Sequence, residues 1–128
     1  MKAKTISTRQ PWAWLLVNGH KPVENRRSRF KHRGPLLIHA SLRMTLADYL
    51  ACEIFCRGIG FDWDLVPDGN QLERGGIIGQ VEVTACVDQL DSDWFTGPFG
   101  LVAKDAIALP FYPCKGQLSI FTVDYPFA

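Results

Sequence analysis

The sequence predicts a small α+β fold, mainly β, in which about five or six short strands form a barrel with two or more helices packed at its openings. Three observations lead to that expectation. Apolar or alternating runs of strand length recur along the chain, the strongest being GGIIGQVEVTACVDQL at 75–90, where Val81, Val83 and Ala85 alternate with Gln80, Glu82 and Thr84. Two segments instead carry apolar residues at helical spacing behind helix-start signals. Glycine and proline separate these runs, and no repeat, low-complexity tract or linker interrupts them, so one domain over 1–128 is expected.

The elements follow in order. AKTIST at 3–8 is short, alternating and rich in Thr and Ile, as a strand is. Pro11 suits the first turn of a helix, where its missing N–H costs nothing. Trp12, Leu15, Leu16 and Val17 give that helix an apolar face; Asn18-Gly19 ends it, and Pro22 prevents continuation. Val23 to Arg27 is expected to be a short strand or extended arm. Gly34-Pro35 is expected to turn, and LLIHAS at 36–41 to form a compact strand. Thr45 is a candidate N-cap for a helix over Leu46 to Arg57, closed by Gly58 and Gly60. FDWDLVPDGNQLERG at 61–75 reads as loop, with Pro67-Asp68-Gly69 as a turn. After the 75–90 strand come an aromatic, glycine-containing loop at 91–100, a strand at LVAKDAIALP and KGQLSIFTVDY as a closing strand. The apolar closing residues Tyr125 to Ala128 are expected to dock on the barrel or on a partner.

Composition narrows the function. The chain has 128 residues, 47% hydrophobic and 21% charged, so it suits a packed globular protein. A net charge of +1 argues against a broad polyanion-binding surface. Charge is uneven, however: Arg26, Arg27, Arg29, Lys31, His32 and Arg33 cluster, while acidic residues gather between Asp62 and Asp105. Such a run is either a local basic patch or a solvated loop. Cys52, Cys56, Cys86 and Cys114 show no CxxC or zinc-finger spacing, so no metal and no cofactor is expected, and Cys52 and Cys56 read as small buried hydrophobes. The N-terminal residues lack the apolar core of a signal peptide and no run reaches membrane-span length, which predicts a cytoplasmic protein with reduced thiols.

The stretch ISTRQPWAWLLVNGHKPVENR resembles the opening signature of the ASCH family, the activating-signal-cointegrator homology domains, which are similar in fold to the PUA domain of RNA-modification enzymes. RGPLLIHAS, ERGGIIGQVEVTACVD, WFTGPFGLVAKDAIAL and PCKGQLSIFTVD match further, in order, over nearly the whole chain. The resemblance implies a PUA-like β-barrel with a cleft between barrel and helix that takes RNA or a modified nucleoside. Two activities are associated with such proteins: hydrolysis of the acetyl amide of N4-acetylcytidine, and RNA cleavage. The amidohydrolase members resemble this chain at Lys21 and at Glu82, in an EVTA-like strand. At the position of Glu24 the small bacterial enzymes carry threonine.

The chemistry of these groups leaves two arrangements open. If Lys21 and Glu24 meet across the turn, each favours the other's charge. Lys21 is then an oxyanion or phosphate ligand and Glu24 the group that activates water. Glu82, if desolvated, donates a proton to the leaving amine. If Lys21 is instead buried away from Glu24, it becomes a base or nucleophile. The plainer alternatives are a structural Lys21–Glu24 ion pair and a solvated Glu82. On the ion-pair alternative Lys21→Ala mainly lowers stability; on the functional one it abolishes ligand binding and leaves stability nearly intact. Strand alternation puts Glu24 and Arg26 on one face, Asn25 and Arg27 on the other, so Arg26 is a candidate cleft residue. Trp12 and Trp14, two apart, cannot share a helical face; one belongs to the core and the other is a candidate to stack a base. Trp94 is a second stacking candidate. His39 is either a satisfied core histidine or a substrate contact, with Ser41 on the same face. Arg9 and Gln10 lie at a helix start, where donors can hold an anion, and Gln10 has an amide suited to a base edge. Besides binding or hydrolysing an RNA or modified nucleoside, the candidate functions are RNA binding without catalysis, a ribonuclease, and a protein-interaction adaptor.

Overall fold

The computed structural model describes residues 1–127. Its elements run β1 (Lys2–Thr8), α1 (Trp12–Val17), β2 (Val23–Arg26), β3 (Gly34–Ala40), α2 (Leu46–Gly58), β4 (Gly76–Val87), β5 (Phe99–Pro113) and β6 (Ile120–Asp124). Two 3-10 turns, Trp63–Leu65 and Gly69–Gln71, lie in the segment expected to be plain loop. The six strands form one sheet in the order β2-β5-β4-β3-β1-β6. Among the described residues only β1 and β3 pair in parallel, which needs a crossover, and α1 with β2 supplies it.

The sheet curls because its long central strands are bulged. The β4–β5 ladder shifts register between Ile77 and Gly79, Gln80 and Glu82, and Val83 and Ala85. Each bulge bends the strand and tightens its twist. The curl carries the edge strand β2 back toward the end of β1. The two are not ladder neighbours. Side chains bridge them: Arg26 Nη2 donates to Ser7 O at 2.7 Å, and Thr8 Oγ1 donates to Glu24 Oε2 at 2.8 Å. The barrel therefore has a seam stitched by side chains, in an α+β, PUA-like arrangement.

Helix α1 has six residues, too short to hold itself in water, so packing on two sides maintains it. Leu16 and Val17 enter the barrel core with Ile6, Leu36, Ile38, Val81 and Leu101. Leu15 points the other way, into a second cluster with Cys52, Cys56, Trp63 and Val66 under α2. Each such fully buried side chain contributes about 1.5–3 kcal/mol. Cys52 and Cys56 are fully buried, as their helical spacing suggested, and burial pushes both thiols up from their ordinary range.

Thr45 caps α2 as expected, and Asp48 completes a reciprocal capping box. Thr45→Ala is expected to cost about 1 kcal/mol, read as a lower urea midpoint with an unchanged slope.

Three boundaries differ from the sequence expectation. Gly34-Pro35 opens β3 instead of turning; proline is tolerated at a strand's first positions, where a missing donor breaks little. β5 extends on both sides, to 99–113. The closing strand begins only at Ile120, because Lys115 to Ser119 forms a loop across the end of β1 and β3. Tyr125 docks on the barrel, fully buried, with its hydroxyl donating to Pro110 O at 2.7 Å. Ala128 lies outside the described residues.

Candidate functional site

The end of α1 sets the site. After Asn18 and Gly19 the chain folds back, and the N–H groups of His20 and Lys21 both donate to Leu15 O at 3.0 and 3.1 Å. That closure turns Lys21 inward beneath the helix, where it is 4% exposed. Pro22 O then accepts from Ala103 N, and β2 pairs with β5 from Val23 to Arg26. Glu24 thus meets Lys21 in the barrel seam.

The result is a connected, buried charge cluster. Lys21 Nζ donates to Glu24 Oε1 at 3.0 Å; Glu24 Oε2 accepts from Thr8 Oγ1 at 2.8 Å and lies 3.3 Å from Arg26 Nη2. Lys21 Nζ also sits 5.5 Å from the centroid of the Trp12 ring. Of the two arrangements left open by the sequence, the paired one is present. Burial raises the Glu24 carboxyl, but the charges of Lys21 and Arg26 and the bonds from Thr8 and Lys21 outweigh it. Its pKa is held below the ordinary 4.5. Ionised Glu24 therefore contributes stability that is complete above its unfolded value. That contribution is lost as pH falls through the lower folded value. Urea unfolding followed from neutral pH into acid is expected to show this loss, and Glu24→Gln to flatten that part of the profile.

A cleft of about 700 Å³ opens over the cluster. Its charged floor is Lys21, Glu24 and Arg26, and its aromatic lining is Trp12, Phe55 and Trp94. Trp12 meets Phe55 edge-on at 5.4 Å, and Phe55 lies 6.0 Å from Trp94, so the three rings form a continuous wall. Arg26 Nε is buried without a hydrogen-bond partner. A smaller cleft of about 410 Å³ adjoins the first, sharing Asn25, Arg26 and Ser119 and adding Arg27, Ser28 and Phe30.

The other sequence candidates divide clearly. Arg9 is exposed at the cleft rim, 3.5 Å from Asp48. Ser41 lines the cleft. Asn25 borders it, but its amide is occupied: Nδ2 donates to Trp94 O, and Oδ1 accepts from the N–H groups of Thr96 and Gly97. Asn25 thus holds Trp94 in place. Gln10 is buried, and both ends of its amide are engaged. Its Oε1 accepts from Trp14 N, an unsatisfied donor of the first helical turn, while Nε2 donates to Glu73 O. Trp14 stacks on His20 at 5.4 Å, away from the cleft lining. His39 is 2% exposed, with Nδ1 2.9 Å from Ser7 Oγ and Nε2 2.8 Å from Cys114 O.

Glu82, expected to donate a proton if desolvated, lies elsewhere. It does not line the cleft. Val81 and Val83 fill the barrel core, so strand alternation turns Glu82 to the outer face, between Pro35 and Lys104 in register. β4 is flanked by β3 and β5 and never borders the seam.

The sequence reading missed Ser7, Phe55 and the loop Gly116 to Ser119, all of which line the cleft. Phe55 has the spacing of a core residue, and only packing shows that its ring reaches the cleft. For the loop, Lys115-Gly116 is the kind of signal that marks a turn. Among the described residues no cluster of three His, Cys, Asp or Glu is placed to hold a metal, and no helix is long and apolar enough to cross a membrane.

Two comparisons bear on this geometry. The family model described as the ASCH domain matches residues 6–98, a span that holds most of the cleft. The chain is also 28% identical over 132 residues to activating signal cointegrator 1 of Homo sapiens. That match covers 93% of this chain but only 22% of the human protein.

Proposed function

The chain belongs to the ASCH domain family, and from that premise we propose that it binds single-stranded RNA, or a modified nucleoside, with one base held in the cleft. The observation that carries this reading is the meeting, in one cleft, of the Trp12–Phe55–Trp94 wall with the Lys21–Glu24–Arg26 cluster. A base offers a π face to the first and a hydrogen-bonding edge to the second. The volume of about 700 Å³ falls in the range of small-ligand sites. The adjoining cleft with Arg26 and Arg27 suits a neighbouring phosphate.

The test is fluorescence anisotropy with a labelled single-stranded RNA. Trp12→Ala and Trp94→Ala are each expected to remove about 1–3 kcal/mol of affinity. Arg27→Ala is expected to lower the slope of log K against log salt by about 0.7, the value for one single-strand phosphate contact. Affinity indifferent to both tryptophans would show that RNA binds elsewhere or not at all.

A second reading, hydrolysis of N4-acetylcytidine, is favoured by the buried Lys21 ammonium beside Glu24. Lys21 would steady the oxyanion and Glu24 would activate water. Two features weigh toward binding instead: a carboxyl held below its ordinary value is a poor base, and Glu82 lies outside the cleft. Cytidine release from N4-acetylcytidine, lost in Lys21→Ala and Glu24→Gln but retained in Glu82→Gln, would establish the amidohydrolase. No cytidine from folded protein leaves the binding reading alone.

A further inference from the structure

The proton order around His39 follows from its partners. The Cys114 carbonyl, 2.8 Å from His39 Nε2, can only accept, so Nε2 carries the ring proton. In the neutral ring Nδ1 is then the bare nitrogen and accepts. The Ser7 hydroxyl, 2.9 Å away, therefore donates to it. Ser41 Oγ, 3.0 Å from Ser7 Oγ, must donate to Ser7, whose single proton is already committed. The order is Ser41 to Ser7 to His39 to the Cys114 carbonyl. This leaves Ser7 one free lone pair, and Ser7 lines the cleft.

From this geometry we propose that the cleft holds an acyl-transfer centre. Ser7 is the nucleophile, His39 the general base, and the Cys114 carbonyl the group that orients the imidazole. The substrate class is a small acyl group on an ester or amide. A buried histidine needs partners, but it does not need one whose remaining lone pair is free beside an open cleft. The loop above the pair supports the assignment. A Cβ at Gly116 would come 2.8 Å from His39 Cε1 and 3.1 Å from Ser7 Oγ, so this backbone lies directly on the dyad. Among the described residues, the N–H groups of Gly116, Gln117 and Leu118 find no protein acceptor. They border the same cleft, and the proposal assigns them as donors to the developing oxyanion.

In the first half-reaction Ser7 Oγ bonds to the acyl carbon, its proton passes to His39 Nδ1, and the carbonyl π pair moves onto oxygen. Collapse breaks the bond to the leaving oxygen or nitrogen, which takes the proton from His39. In the second half-reaction water attacks the acyl-serine and gives its proton to Nδ1. The ester bond then breaks and the proton returns to Ser7. The step does not depend on the nucleotide reading, since a folded protein can bind RNA with Ser7 inert.

The experiment is treatment of the full chain with a fluorophosphonate probe and with p-nitrophenyl acetate, followed by peptide mass mapping. The expected result is phosphonylation and acetylation of Ser7, absent in Ser7→Ala and in heat-unfolded protein. Labelling is expected to slow by about 100-fold or more in His39→Gln. An unlabelled Ser7 in protein that unfolds cooperatively overturns the proposal without appeal to any variant. So does labelling equal to that of other surface serines. RNA anisotropy on the same preparation keeps this outcome separate from that of the binding reading.

Discussion

Glu24→Ala is expected to destabilise the protein by about 3–5 kcal/mol, the usual cost of removing one partner from a buried ion pair. The carboxylate joins two cations and a hydroxyl within 3.3 Å, and its loss leaves Lys21 buried beside the Trp12 ring without its carboxylate partner. Lys21→Ala is expected to cost less, about 2 kcal/mol, because Glu24 keeps Arg26 and Thr8. The sequence alone allowed the hope that Lys21→Ala would leave stability nearly untouched. A side chain 4% exposed does not permit that. Urea unfolding of both variants at neutral pH decides the matter. Equal losses below about 0.5 kcal/mol would show the pair to be solvated and energetically idle. The asymmetry also separates fold from function: at protein concentrations and temperatures where Lys21→Ala stays folded, its ligand affinity can be measured directly.

Gly79→Ala is the second large effect. A Cβ there would fall 2.6 Å from Ile107 O and 2.6 Å from Val17 Cβ and Cγ1. One obstacle is backbone in the neighbouring strand; the other is the last residue of α1, wedged against the barrel. Neither yields easily, so a loss of about 1–3 kcal/mol or more is expected. Relief by lifting α1 moves Leu15, whose carbonyl holds the N–H of Lys21. Gly79→Ala is therefore expected to weaken ligand binding even in the folded fraction. Gly58→Ala is the control. Nothing lies within 4 Å of its Cβ position, and its φ is not positive. There the loss of chain entropy in the unfolded state is expected to stabilise by about 0.4–1 kcal/mol. A Gly79→Ala protein as stable as the parent would mean that α1 does not pack as closely on β4 as described.

Much of the fold was legible because it is written in local periodicity. Val81 and Val83 alternate with polar neighbours, and Leu15, Leu16 and Val17 follow Pro11, so strand and helix types emerge from short windows. Thr45 before Leu46 was enough to place a helix start. The meeting of Lys21 and Glu24 was legible as one of two arrangements for the same reason: they are three positions apart across one turn. Elements with conflicting local signals were not. The strand expected over LVAKDAIALP stopped at Pro110, yet β5 runs on to Pro113, and Lys115 to Ser119, expected as strand, form a loop before Ile120.

By itself the sequence determined a mainly β fold, its two main helices, the family, and that Lys21 and Glu24 lie close together at the mouth of the barrel; the structure decided that they pair. The tertiary structure decided which side chains share the cleft. Alternation says that Glu82 opposes Val81 and Val83; only the strand order says that their face is the core and that β4 lies away from the seam. The amides of Gln10 and Asn25 were free on paper, and folding committed them to a helix end and to the Trp94 loop. Ser7 and His39 stand 32 residues apart, and no spacing rule links them. They meet because β1 and β3 pair in parallel, with Ser7 opposite His39 in register. Side-chain period is a property of a few neighbouring residues, whereas a site at a barrel seam depends on register, bulges and closure, which are properties of the whole sheet.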